Sequence, residues 1–66
     1  MNPQDRELWA DAYRIFERHT KSPQNTVEYW DAVNADVSAL YNKQTSSYGK
    51  EFALSLLRTI EKFVLQ

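Results

Sequence analysis

The sequence contains no cysteine, so neither a disulfide nor a thiolate metal site is available to it. Its single histidine, His19, would leave a zinc site dependent almost wholly on carboxylates, an unusual ligand set. Its single glycine, Gly49, excludes a glycine-rich phosphate cradle. No apolar run exceeds three residues, far short of a bilayer span. Neither sign of charge dominates: 8 basic and 9 acidic residues leave a formal net charge of −1. That balance argues against a surface built for nucleic acid or for a charged membrane. The opening Met1-Asn2-Pro3-Gln4-Asp5-Arg6-Glu7 has neither the basic start nor the apolar core of a signal peptide. The expected compartment is the cytoplasm, and no cofactor is expected.

With these staples missing, a chain of 66 residues is expected to form one domain, stabilised by helix packing, self-association or a partner. Aromatic side chains are abundant: two Trp, four Tyr and three Phe, 14% of the chain. In so small a chain this predicts a core built largely from aromatic rings.

Three segments carry helical periodicity. The first runs over about 3–19, with Asn2 as N-cap and Pro3 at the first helical position, where a missing N–H costs nothing. Leu8, Trp9, Ala12, Tyr13, Ile15 and Phe16 form a broad apolar arc. Pro23 breaks the pattern and pushes Ser22 out of helical geometry. Asn25 followed by Glu28 fits a capping box, and Thr26 is the competing cap.

The second helix is expected over about 26–43, with Trp30, Val33, Val37 and Leu40 close to an a/d seam. The third is expected over about 48–65, capped by Ser46 or Ser47. Phe52, Ala53, Leu56, Leu57, Ile60, Phe63 and Val64 make its stripe. Gly49 and Lys50 suit a first turn poorly. There is no sustained period-two alternation and no hairpin turn signal. Short links make neighbours antiparallel, so the predicted fold is all-α, a compact three-helix bundle. Trp30, Val33, Val37, Leu56, Leu57 and Ile60 are the expected core, and Leu57→Ala should then cost about 2–5 kcal/mol.

Residue types that could carry chemistry are few. His19 in the last turn reads as a side chain that caps carbonyls and favours the helix dipole. A catalytic role would need a carboxylate or hydroxyl partner, and no motif places one. Glu7 with Asp11, and Glu28 with Asp31, read as solvated helix surface rather than an acid–base pair, which needs a cleft to split two pKa values. Arg14, Arg18 and Lys21, and Lys50, Arg58 and Lys62, are interleaved with acids and make a poor phosphate-binding face unless two helices adjoin. Asn34 projects close to the buried face of the second helix and belongs at its wet margin. The expectation is a non-enzymatic chain with no evident small-molecule substrate.

Three short helices cannot easily enclose nine aromatic rings. Some apolar surface should stay outside, and such patches mark interaction sites. The candidates are Tyr13, Tyr29, Tyr48, Leu54 and Leu65, at stripe edges or helix starts. Trp9 and Trp30, each inside its apolar arc, read as core.

The segments Leu8-Trp9-Ala10-Asp11-Ala12-Tyr13-Arg14-Ile15-Phe16 and Asn25-Thr26-Val27-Glu28-Tyr29-Trp30-Asp31 resemble small uncharacterised helical proteins of bacterial prophages and mobile elements. The resemblance implies an accessory role, such as modulating or inhibiting a host protein by binding it. It carries over no catalytic or binding residue. The expected function is therefore protein–protein interaction, with a protein partner or a second copy. A small nucleic-acid-associated accessory protein is the alternative.

Overall fold

The computed structural model describes residues 2–66. They form three helices: α1, Pro3–Thr20; α2, Val27–Lys43; and α3, Ser47–Leu65. Each packs against the other two, in a three-helix bundle measuring 35 × 17 × 16 Å. Among the described residues no helix is long and apolar enough to cross a membrane.

Each helix starts where a side-chain oxygen can satisfy a free backbone donor. Asn2 Oδ1 accepts from the Asp5 N–H at 2.8 Å, and Pro3 follows at the first helical position. The next cap is Thr26, whose Oγ1 accepts from the Tyr29 N–H at 3.1 Å. Asn25, the other contender, is already committed: its Oδ1 accepts from Trp30 Nε1 at 2.8 Å. Ser46 Oγ accepts from the Gly49 N–H at 3.1 Å, which starts α3 at Ser47. At the far end of α1 the Thr20 hydroxyl donates to the Phe16 carbonyl at 2.6 Å and carries the helix one residue past His19.

The α2–α3 corner also shows why position 49 is glycine. A Cβ there would lie 2.8 Å from Gln44 Oε1 and 2.9 Å from Ser46 Oγ. Both neighbours are occupied, Gln44 donating to the Leu40 carbonyl at the end of α2 and Ser46 capping α3. The residue that sequence reading weighs only as a poor helix former lets two helix ends meet.

The chain runs up, down and up. Contacts between α1 and α2 pair early residues with late ones: Lys43 reaches Glu7, and Asp36 reaches His19. Contacts between α1 and α3 keep the same order: Trp9 lies on Phe52 and Phe16 on Phe63. So α1 and α3 are parallel neighbours, as two successive antiparallel steps require.

The buried core is Leu8 and Ala12 from α1, Val33, Val37 and Leu40 from α2, and Ala53, Leu56 and Ile60 from α3. Two expectations need correction. Trp30 and Leu57 are half-buried and pack on the core from its margin. The core is also not aromatic: none of the nine rings is fully buried. The reason is space. Helices packed about 8–10 Å apart leave room on the bundle axis for branched aliphatic and alanine side chains. The larger rings are displaced to the seams between helices. Asn34 stands exposed, its Nδ2 donating to the Trp30 carbonyl at 2.9 Å.

Candidate interaction site

Helix α1 carries two apolar rows, offset by one residue. Leu8, Ala12, Ile15 and His19 make one, and Trp9, Tyr13, Phe16 and Thr20 make the other. Both have spacings of three and four, so each runs straight along the helix. The first row faces the core. The second leans over α3, where Phe52, Thr59 and Phe63 flank the core row Ala53, Leu56 and Ile60.

Between the two parallel helices lies an open groove of about 410 Å³. Trp9, Tyr13 and Phe16 form one wall, and Phe52, Ser55 and Thr59 the other, with Ala12 and Leu56 as floor. The rings lock edge to face: Trp9 meets Phe52 at 4.7 Å between centroids and 88°, and Phe16 meets Phe63 at 5.7 Å and 76°. The groove is nonetheless solvent-facing. Trp9 is 56% exposed, Tyr13 63% and Phe63 53%. In lining it is a hydrocarbon and aromatic surface, with the Tyr13, Ser55 and Thr59 hydroxyls and the Trp9 indole N–H for polarity.

Charge runs along both rims. On α1, Arg6, Tyr13 and Glu17 share a stripe, spaced seven and four residues apart. On α3, Glu51, Ser55, Arg58 and Lys62 do so, spaced four, three and four. All five rim charges are exposed, and none takes part in an ion pair among the described residues. Compared with family models, with curated proteins and with solved structures, the chain has no match.

Of the five residues expected to form a patch, only Tyr13 lies in the groove. Tyr29 is half-buried between α1 and α2, its hydroxyl donating to the His19 carbonyl and its ring edge-on to His19 and Trp30. It is a packing residue rather than an exposed one. Tyr48 is exposed at the start of α3, with its hydroxyl donating to Asp5 Oδ1 at 2.7 Å. Leu54 borders a separate hollow between α2 and α3, with Val37, Tyr41 and Leu57. Leu65 is exposed at the last turn of α3. The five do not share a surface. Sequence reasoning missed Trp9, Phe52 and Phe63, which it assigned to buried arcs. The signal was present in the width of those arcs: two full rows on one helix exceed what two neighbours can cover.

The α1–α2 side is electrostatically closed. Lys43 Nζ donates to Glu7 Oε1 and Asp11 Oδ2, each at 2.9 Å, and Arg14 pairs with Asp11 at 2.8 Å. Arg18 reaches Asp36 at 3.1 Å, and buried His19 brings Nε2 to the same oxygen at 2.7 Å. His19 thus finds the carboxylate partner that no sequence motif placed, from the next helix rather than its own.

Three groups are held protonated beyond their ordinary values. Hydrogen bonds to Glu7 first, and then to Asp11, push Lys43 up. The bond to Asp5, and burial after it, push the Tyr48 phenol up, and burial alone raises Tyr29. All three act in one direction. Their stabilising contribution is fully present below about pH 10, where the unfolded chain also keeps these protons. Above it the unfolded chain releases protons that the folded chain retains, so stability falls. Melts at stepwise higher pH should show the midpoint dropping from about pH 10 upward. Tyr48→Phe should flatten part of that drop. A midpoint unchanged up to pH 11 would contradict the assignment.

Proposed function

We propose that the chain is a non-enzymatic protein-interaction module whose docking surface is the α1–α3 groove. The observation that carries this reading is the row of exposed rings, Trp9, Tyr13 and Phe63, set beside half-buried Phe16 and Phe52 on one open face. Part-exposed Trp and Tyr in an apolar depression are the residues that dominate binding energy when a partner covers them. Three hydroxyls, of Tyr13, Ser55 and Thr59, in an otherwise mainly apolar lining suit the burial of an apolar face better than acid–base chemistry, which needs titratable groups aimed at a substrate. The α1–α2 cations are less suited to phosphate, because Arg14, Arg18 and Lys43 are already held by carboxylates. The resemblance to small prophage-encoded proteins makes the modulation of a larger host protein one setting in which such a module would work.

The test compares two double variants of the tagged chain in affinity capture from cell lysate. Trp9→Ser with Tyr13→Ser should keep the helical signal and lose the captured protein, a second copy included. The expected weakening is at least about thirty-fold, the usual effect of truncating an aromatic hot spot. Leu54→Ser with Leu65→Ser should capture normally. The opposite pattern would move the docking surface to the α2–α3 hollow.

A further inference from the structure

We infer that the groove's occupant is a second copy of this chain, packed face to face about a two-fold axis; the inference rests on the interaction reading above and names its partner. The argument is the order of charge along the two rims. Going up the bundle, α1 presents Arg6 and then Glu17, while α3 presents Glu51 first and Lys62 last, with Arg58 adding to the positive end. The sign order is opposite on the two rims. The spacing is the same, eleven residues on each, or about 16 Å of helix.

A two-fold interface brings a surface against itself, so the pattern must complement its own image. This one does. With the axis running along the helices, α1 of one copy faces α3 of the other in the same direction. Arg6 then meets Glu51 of the second copy, and Glu17 meets its Lys62. With the axis running across the helices, each helix faces its own counterpart reversed. Arg6 then meets Glu17, and Glu51 meets Lys62. In both arrangements these four charges meet their opposites and Arg58 meets no like charge, facing Tyr13 in the first and Ser55 in the second, and the aromatic rows between them come together. Because none of the rim charges has an ion-pair partner among the described residues, the pairing breaks no ion pair that folding has made.

Size is consistent with such a pair. One long side of a 35 × 17 Å outline covers roughly 600 Å², so two copies would remove roughly 1,200 Å² from water, the low end of specific interfaces. The dimer is therefore reversible with dilution. It also supplies apolar burial that the small aliphatic core lacks.

Sedimentation equilibrium of the full chain from about 1 to about 500 μM should show a monomer–dimer equilibrium, as a small interface dissociates in that range. Trp9→Ser with Tyr13→Ser should weaken the dimer at least about thirty-fold. Arg6→Glu should weaken it several-fold, since the two-fold repeats each repulsion. A second reversal in the same chain then reads out the axis. Glu51→Arg restores the dimer if the axis runs along the helices, and Glu17→Arg restores it if the axis runs across them. The reversals lie at exposed positions, so they keep the test open if the aromatic variant fails to fold.

A monomer throughout that range overturns the inference. So does a dimer indifferent to the aromatic variant, or one that neither second reversal restores. The wider reading fails separately. If the chain is monomeric and its groove variant still captures everything the parent captures, the groove is not a docking surface at all.

Discussion

Ile60→Ala is expected to unfold much of the population at ambient temperature. Ile60 is fully buried in the core cluster to which all three helices contribute. Removing three carbons there loses their transfer free energy and leaves a cavity, at a cost of about 2–5 kcal/mol. A chain of this size holds on the order of 5 kcal/mol in total, so the loss approaches the whole. In a thermal melt at fixed protein concentration, the midpoint should fall by roughly 10–30 °C. Leu57→Ala is the comparison. Leu57 sits at the margin of the core, half in water, so its truncation should cost about 1–2 kcal/mol rather than the larger figure that a buried leucine implies. Equal midpoints for the two variants would contradict this ranking.

Asp36→Ala should also destabilise the fold, through a stranded polar group rather than a cavity. Its carboxylate accepts from the buried ring of His19 at 2.7 Å and from Arg18 at 3.1 Å. Without it, a ring N–H with 7% residue exposure has no acceptor. A buried donor left unsatisfied costs about 1–3 kcal/mol. The Asp36 side chain is 29% exposed, so water entering beside it should hold the loss to the lower half of that range. Two companions separate hydrogen bonding from packing. Asp36→Asn keeps an acceptor and should lose little. His19→Leu with Asp36→Leu removes both partners and should recover most of the stability lost by Asp36→Ala alone, since no polar group is then stranded. Denaturant unfolding of the four chains gives the comparison. A single Asp36→Ala chain as stable as the parent would mean that His19 has found another acceptor.

What could be read in advance follows from how local each signal is. The helices were legible because their causes lie within a few residues: Asn2 as one cap and Ser46 or Ser47 as another, of which Ser46 caps, Pro3 at a first turn, Pro23 as a break, and apolar residues at intervals of three and four. Thr26 shows the limit. Asn25 and Thr26 are comparable caps in isolation. The choice fell to Thr26 because the indole of Trp30, one turn further on, takes the Asn25 side chain. Among long-range contacts, the pairing of His19 with Asp36 was illegible, because its partners lie seventeen residues apart on different helices.

The surface was harder to read than the core for a related reason. Periodicity says which residues share a face of one helix, but not which of two adjacent apolar rows the bundle will cover. On α1 the rows beginning at Leu8 and Trp9 are equally regular. By itself, the sequence determined three helices, the cap of the first, and an excess of aromatic side chains over what so short a chain can enclose. Only the tertiary structure decided that the aliphatic row goes inside and the aromatic row outside. In this bundle the compact aliphatic and alanine side chains fill the narrow axial space, and the larger indole and phenol rings lie towards the seams and the surface. That choice also separated Tyr13 from Tyr29, Tyr48, Leu54 and Leu65, and put it beside Trp9 and Phe52 in a single groove.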